Sequence, residues 1–166
     1  DYPRVSHDPA KFFSDWVGDG GAQGDEGASY YSMENSYWAE RRNQNVLLVH
    51  YNDLKADRGS EIRRIARFLE IDIPERLWPE IIAAASFEAM KEQGAELMPN
   101  VHNLFDLGAS RFLHKGTNGR WHGVFSADDL ARYEAQVKAH FAPDLARWLE
   151  HGRMVAGDPG SGSPDS

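Results

Sequence analysis

One basic segment punctuated by glycine sets the first expectation for this chain: Arg111-Phe112-Leu113-His114-Lys115-Gly116-Thr117-Asn118-Gly119-Arg120-Trp121-His122-Gly123. Gly116 and Gly119 can adopt positive φ at little cost, so the backbone can turn sharply and expose its N–H groups. Lys115 adds a point charge that suits a phosphate, and backbone amides combined with a lysine commonly form an anion cradle. The residues leave an alternative open, in which the segment is an ordinary Asn-Gly turn with Trp121 packed beneath it.

The chain as a whole is acidic, which makes the basic segment a local feature. It has 166 residues, enough for one domain with its own core, and its net charge of −8 argues against nonspecific binding of nucleic acid. The absence of cysteine excludes disulfides, thiolate metal sites and a cysteine nucleophile, and fits a reducing, cytoplasmic location. No two histidines stand four residues apart on a predicted helix, so we expect no metal site. No apolar run approaches the length of a membrane span.

Apolar periodicity predicts a mostly helical chain with one strand. Val46–Tyr51 is a continuous apolar run of strand length that favours a buried strand in a parallel sheet, and Asn52 and Asp53 follow it as turn formers. Helices are predicted near residues 9–17, 30–42, 60–69, 74–84, 86–90, 126–141 and 143–149, and loops at 94–110 and at the glycine-rich stretch 18–29. Ser60 is predicted to cap the third helix, with Leu69 facing inward and Arg63, Arg64 and Arg67 on a solvated face, and Ala84 is predicted to face inward in the fourth. Residues 126–129 resemble a capping box. A lone buried strand lacks partners for its backbone groups, so either further strands lie in the loops or the chain is part of something larger.

Aromatic residues recur at helical spacing in the second of these helices, at Tyr30, Met33, Tyr37 and Trp38. This pattern is typical of core packing, and the alternative is that some of these side chains line an apolar acceptor pocket. The Gly/Ser/Pro-rich end of the chain, residues 157–166, is expected to be a disordered tail.

The pattern His114-Lys115-Gly116-x-x-Gly119-x-Trp121 resembles the Arg-Lys-Gly-x-x-Gly-Asp-Trp-Lys stretch of the sulfotransferases that use 3′-phosphoadenosine 5′-phosphosulfate (PAPS). Here His114 replaces the usual arginine, Arg120 the aspartate and His122 the lysine. Three further segments are similar to the family in order and spacing: residues 46–55, like the strand that ends in Tyr-Glu-Asp-Leu-Lys; residues 61–69, like the helix that follows it; and residues 86–91, like its Ser-Phe-x-x-Met-Lys segment. The resemblance extends over residues 9–150 and is greatest to bacterial members, including those that act on glycolipids.

The resemblance implies a fold and a set of cofactor-binding residues. The fold would be α/β: the C-terminal part of a P-loop-like three-layer fold with a parallel sheet, mostly helical in this segment, with residues 1–156 belonging to a single domain. Tyr51 and Phe87, with Met90 nearby, would hold the adenine of PAPS, since a purine stacks well on aromatic and thioether surfaces. The 3′-phosphate would be bound by three consecutive residues, His114, Lys115 and Gly116. Ala85 stands where the family often has threonine, which puts one polar contact to the base in doubt.

Several family segments are missing from this sequence: the phosphosulfate loop at a helix N-terminus, the histidine that acts as general base, and the Arg-x-Pro-Lys/Arg-Asp stretch. We therefore assign no catalytic residue here and expect an N-terminal half of the same enzyme as a partner. The acceptor would be a small molecule or lipid that carries a hydroxyl or amine, and residues 18–29 and 94–110 are the candidate loops for its binding pocket. The family's dimerisation pattern is not kept, because Ser126 and Ala131 replace its threonine and glutamate. Two other hypotheses stay open: a P-loop-type kinase-like enzyme, disfavoured by the absence of Gly-x-x-x-x-Gly-Lys-Ser/Thr, and a non-catalytic helical interaction module.

Overall fold

A computed structural model describes residues 8–18, 29–101, 108–113 and 116–160, with the backbone alone at residues 110 and 111. All regular secondary structure in these ranges is helical. The α-helices are α1 (Pro9–Gly18), α2 (Tyr30–Ala39), α3 (Tyr51–Ala56), α4 (Arg58–Phe68), α5 (Trp78–Ala84), α6 (Phe87–Glu92), α7 (Gly94–Leu97), α8 (Ala109–Phe112), α9 (Ala127–His140), α10 (Pro143–His151) and α11 (Arg153–Ala156), and a 3-10 turn at Glu75–Leu77 leads into α5.

The strand predicted at Val46–Tyr51 is wrong. Residues 46–50 form neither helix nor strand, and Tyr51 begins α3 instead of ending a strand. The physical reason is the lack of a partner: a strand exists only by pairing its backbone groups with a neighbour, and the described ranges contain no second strand. The parallel sheet expected from the resemblance is therefore not seen in these ranges, whereas the expectation of a mostly helical segment is confirmed.

Most predicted helices are confirmed, and their caps explain where they begin. The capping box at Ser126 is complete: its hydroxyl accepts the N–H of Asp129 at 3.1 Å, and the Asp129 carboxylate accepts the N–H of Ser126 at 3.1 Å. The predicted cap of α4 is displaced, because Asp57, rather than Ser60, is the capping side chain and accepts the Ser60 N–H at 3.0 Å. The loop predicted at residues 94–110 contains α7 and the start of α8.

The inward faces of α4 and α5 differ from the prediction in three places. Leu69 and Ala84, predicted to face inward, are exposed, and the buried side chain of α5 is Trp78. The arginines predicted as a solvated face of α4 include Arg64, which pairs with fully buried Glu61 at 2.8 Å. Burying an anion is costly unless it is paired, so this arginine contributes to the interior and not only to the surface.

The chain divides into two compact units, Asp1–Lys55 with Arg120–Ser166, and Ala56–Gly119. The first has a core of Tyr31, Phe141 and Leu145, against which Trp38, Val137 and Leu149 pack. The second contains α4 to α8, and its α5 presents Trp78 beneath the guanidinium of Arg63 at 4.3 Å. None of the helices in the described ranges is both long and apolar enough to cross a membrane. Residues 19–28, 102–107 and 161–166, which include most of the predicted glycine-rich loop and of the predicted tail, lie outside the described residues.

Candidate functional site

Two of the predicted site residues meet in the unit formed by residues 56–119. The ring of Phe87 lies directly against Gly116: a Cβ built on this glycine would come within 2.9 Å of Phe87 Cδ2 and 3.0 Å of Cε2. Gly116 also has φ of +59°, a conformation that side-chain-bearing residues rarely adopt. Both the backbone angle and the close approach therefore require glycine at this position.

Leu113 and Gly116 flank His114 and Lys115 in the sequence, and each of these flanking residues has a packing partner. Leu113 Cδ1 approaches the backbone of buried Gly94 so closely that a Cβ there would lie 3.2 Å away. Gly116 packs against Phe87, as described above. His114 and Lys115 themselves lie outside the described residues, so their assignment to the 3′-phosphate stays a prediction.

The segment containing Phe87 and Met90 is a short helix with a defined beginning. Ser86 caps α6, its hydroxyl accepting the Ala89 N–H at 3.1 Å, and its carbonyl accepts the Met90 N–H at 2.9 Å. Phe87 is half-buried and Met90 is 37% exposed. One turn of helix therefore carries an aromatic ring and a thioether, i and i+3 apart, and both residues remain partly accessible. This surface fits the flat, apolar face of a purine.

Tyr51 lies in the other unit, at the first position of α3. The residue is 52% exposed, and the Lys55 ammonium lies 5.8 Å from the centroid of its ring. A large aromatic side chain left half exposed has unused stacking surface, which is compatible with the predicted contact to adenine.

Trp121 is not the buried tryptophan that the simple-turn interpretation of the basic segment requires. It is 46% exposed, and its ring centroid lies 3.9 Å from that of His122. It also lines an apolar cavity of about 580 Å³ between α1, α2, α9 and α10. The other walls include Phe13, Tyr30, Phe125 and Tyr133.

The aromatic residues of α2 divide between the two roles considered for them. Trp38 packs against Trp148, with centroids 5.6 Å apart, as core packing predicts. Tyr30 lines the cavity, and burial raises the pKa of its phenol far above the ordinary value, so the hydroxyl stays neutral. Met33 and Tyr37 are exposed and belong to neither group.

The sequence did not indicate the role of Asp53, which was predicted only as a turn former. Its side chain is only 1% exposed and accepts the backbone N–H groups of Arg153 and Met154 at 2.7 and 3.0 Å. The only sequence signal was an aspartate directly following an apolar run, and nothing in that pattern indicates which distant amides it binds. Within the described ranges, no group of histidine and acidic side chains could hold a metal ion.

The chain belongs to the sulfotransferase family, whose sulfotransferase domain matches residues 23–146. A glycolipid sulfotransferase of Mycobacterium bovis (strain BCG / Pasteur 1173P2) is 31% identical over 116 residues, which are 70% of this chain and 36% of that protein. Sulfotransferase 1 family member D1 of Mus musculus is 32% identical over 106 residues, 63% of this chain and 36% of the relative. The matched region thus covers little more than a third of these curated relatives. No solved structure gives a significant match.

Proposed function

We propose that this chain supplies the 3′-phosphate and adenine part of the PAPS site of a sulfotransferase. Lys115, with His114 and the Gly116 backbone, binds the 3′-phosphate, and Phe87, Met90 and Tyr51 contact the adenine. An N-terminal half of the same enzyme supplies the phosphosulfate loop and the general base. The family match supports sulfuryl transfer as the reaction, and the absence of cysteine supports a cytoplasmic setting.

The observation that carries this proposal is the contact between Phe87 and Gly116. The resemblance assigns these residues to different parts of one nucleotide, and the fold of residues 56–119 brings them within van der Waals distance. A glycine held at positive φ allows the Phe87 ring to lie directly against the backbone, so a base that stacks on this ring would lie close to the segment that contains Lys115. A lysine next to that glycine in the sequence adds the charge that a phosphate requires.

PAPS, when bound, supplies the sulfuryl group: a bond forms between its sulfur and the acceptor oxygen or nitrogen, the bond from sulfur to the 5′-phosphate oxygen breaks, and adenosine 3′,5′-bisphosphate leaves. The acceptor proton passes to a general base outside the residues assigned here. This chain's own residues orient the donor, and such positioning is the larger part of catalysis in the related phosphoryl transfers. We propose a small-molecule or lipid acceptor, a choice supported by the mycobacterial glycolipid sulfotransferases among the relatives.

The test compares nucleotides that differ by one phosphate, using calorimetry. Adenosine 3′,5′-bisphosphate, adenosine 5′-phosphate and ATP are titrated into the wild-type chain, Lys115→Ala and Lys138→Ala. Lys138 is an exposed lysine of α9 and serves as the control for loss of one positive charge. The titrations are made with the chain alone and with the chain joined to the preceding part of the mycobacterial relative.

We expect Lys115→Ala to lower the affinity for the bisphosphate by about 10- to 100-fold, the range for losing a charged hydrogen bond. The affinity for adenosine 5′-phosphate should be nearly unchanged. Equal loss for both nucleotides would refute the 3′-phosphate assignment. A preference for ATP would indicate the kinase-like alternative, and no nucleotide binding in either form would indicate an interaction module. The chain alone should transfer no sulfate, because losing a general base alone typically lowers the rate by ~10²–10⁴-fold.

A further inference from the structure

Three of the residues around Tyr51 are tied to one distant segment at the end of α10 and the start of α11. His50 Nε2 lies 2.9 Å from the Leu149 carbonyl oxygen, and the side-chain NH₂ group of Asn52 donates to the Glu150 carbonyl at 3.2 Å. Asp53 accepts the N–H groups of Arg153 and Met154, as described above. We call His50, Asn52 and Asp53 together the anchor triplet.

The contacts of His50 fix its tautomer as well as its place. A carbonyl oxygen only accepts, so Nε2 must carry the hydrogen that Leu149 receives. Nδ1 then accepts the backbone N–H of Asn52 at 3.1 Å. The imidazole is thus used at both nitrogens, and its ring also packs edge-on against Trp148 with centroids 5.3 Å apart.

Gly152 allows the anchor triplet to close. Its φ is +80°, and a Cβ built there would lie 2.8 Å from Asp53 Oδ2 and 2.8 Å from His50 Nδ1. The turn between α10 and α11 therefore fits against both polar groups only because it has no side chain. Asp53 is buried against this turn, where a carboxylate without its amide donors would be costly.

Tyr51 stands inside this anchored run, yet the residue itself is 52% exposed. Its position is thus set mainly by its neighbours in the sequence and little by burial of its own side chain. We infer that the anchor triplet, and Asp53 above all, is a positioning device that presents the Tyr51 ring to the adenine of the nucleotide. This inference rests on the proposed function, because it requires Tyr51 to contact the nucleotide.

The test uses a variant of Asp53 and a matched control. Asp53→Asn keeps the shape of the side chain but sets an NH₂ group against one of the two amide donors. Asp57→Asn makes the same change in the carboxylate that caps α4, which accepts the Ser60 N–H instead of N–H groups of α11. Asn52→Ala is a milder variant that removes the side-chain bond to Glu150, and it keeps the result interpretable if Asp53→Asn folds poorly.

Each variant is made in the chain joined to the preceding part of the mycobacterial relative, once in the wild-type background and once in the Tyr51→Ala background. The affinities of each protein for adenosine 3′,5′-bisphosphate and for inorganic pyrophosphate are then measured. Circular dichroism gives the folded fraction of each sample. We expect Asp53→Asn to lower the affinity for the bisphosphate on the order of 10-fold and Asn52→Ala to lower it by less, whereas Asp57→Asn should leave it unchanged. Pyrophosphate lacks an adenine, so its affinity should not change. In the Tyr51→Ala background the effects of Asp53→Asn and Asn52→Ala should vanish.

The outcomes separate this inference from the proposed function. If Tyr51→Ala binds the bisphosphate as wild type does, the adenine assignment of Tyr51 in the proposed function is wrong. If Tyr51→Ala weakens binding while Asp53→Asn matches Asp57→Asn, the adenine assignment stands and the positioning role of Asp53 is wrong. Equal losses from Asp53→Asn in both backgrounds, or equal losses for pyrophosphate, would likewise reduce Asp53 to a residue that only stabilises the fold.

Discussion

Replacing Gly116 by alanine tests the contact on which the proposed nucleotide site depends. Two penalties combine at this position. A side chain at φ of +59° introduces backbone strain of ~1–2 kcal/mol. The new Cβ would also lie 2.9 to 3.1 Å from three atoms of the Phe87 ring, so the ring or the backbone must move. Overpacking of this kind typically costs ~1–3 kcal/mol, which gives an expected total of about 2–5 kcal/mol in the free energy of unfolding.

Gly123→Ala is the matched control, because Gly123 has φ of +77° and nothing within 4 Å of a built Cβ. It should show only the backbone strain of ~1–2 kcal/mol. Urea denaturation measures both variants, and calorimetry with adenosine 3′,5′-bisphosphate should show a loss of affinity for Gly116→Ala beyond any loss for Gly123→Ala. In a Phe87→Ala background the overlap disappears, so the penalty of Gly116→Ala should fall to that of the control. A penalty that is the same with and without the Phe87 ring would refute the contact.

Three further predictions follow from individual residues. Gly152→Ala should destabilise the chain more than Gly157→Ala in thermal denaturation, because both glycines have positive φ but only Gly152 would place a Cβ against buried polar atoms. The pKa of Asp129 is lowered, first by its hydrogen bond with the Ser126 hydroxyl, so its contribution to stability is complete above the unfolded pKa of ~3.8 and is lost as the pH falls below it. Denaturation measured between about pH 5 and pH 2.5 should therefore show that Asp129→Asn loses less stability on acidification than the wild type does. Affinity for the bisphosphate should fall as the pH rises through neutrality, where histidine loses its charge, and His114→Arg should flatten that dependence in calorimetry.

The sequence was sufficient where local chemistry decides the structure. The capping box at Ser126, the start of α10 at Pro143 and the short helix after Ser86 each depend on residues within a few positions, and each is found as predicted. The strand at Val46–Tyr51 failed because strand formation depends on a partner that a local pattern cannot supply. The same apolar run instead passes, without regular structure, into the anchor triplet at the start of α3.

The candidate site was predictable in part for the same reason. The resemblance named Phe87 and Gly116, and the fold placed one against the other. Neither residue type nor spacing indicates that contact, since it depends on how α6 packs relative to the chain after α8. The role of Asp53 was missed because its hydrogen-bond partners lie 100 and 101 positions away in the sequence. The sequence shows that an aspartate is present but does not show which backbone N–H groups donate hydrogen bonds to it.

The two aromatic residues assigned to adenine are held in different ways, and this has a measurable consequence. Phe87 is half-buried against Gly116, so its ring contributes to packing as well as to the proposed site. Truncating a fully buried phenylalanine costs ~3–5 kcal/mol, and Phe87→Ala should cost less than that while also weakening the nucleotide. Tyr51 is positioned by its neighbours and is 52% exposed, so Tyr51→Ala should weaken nucleotide binding with little loss of stability. A large loss of stability in Tyr51→Ala would mean that its ring packs against protein rather than being presented to a ligand.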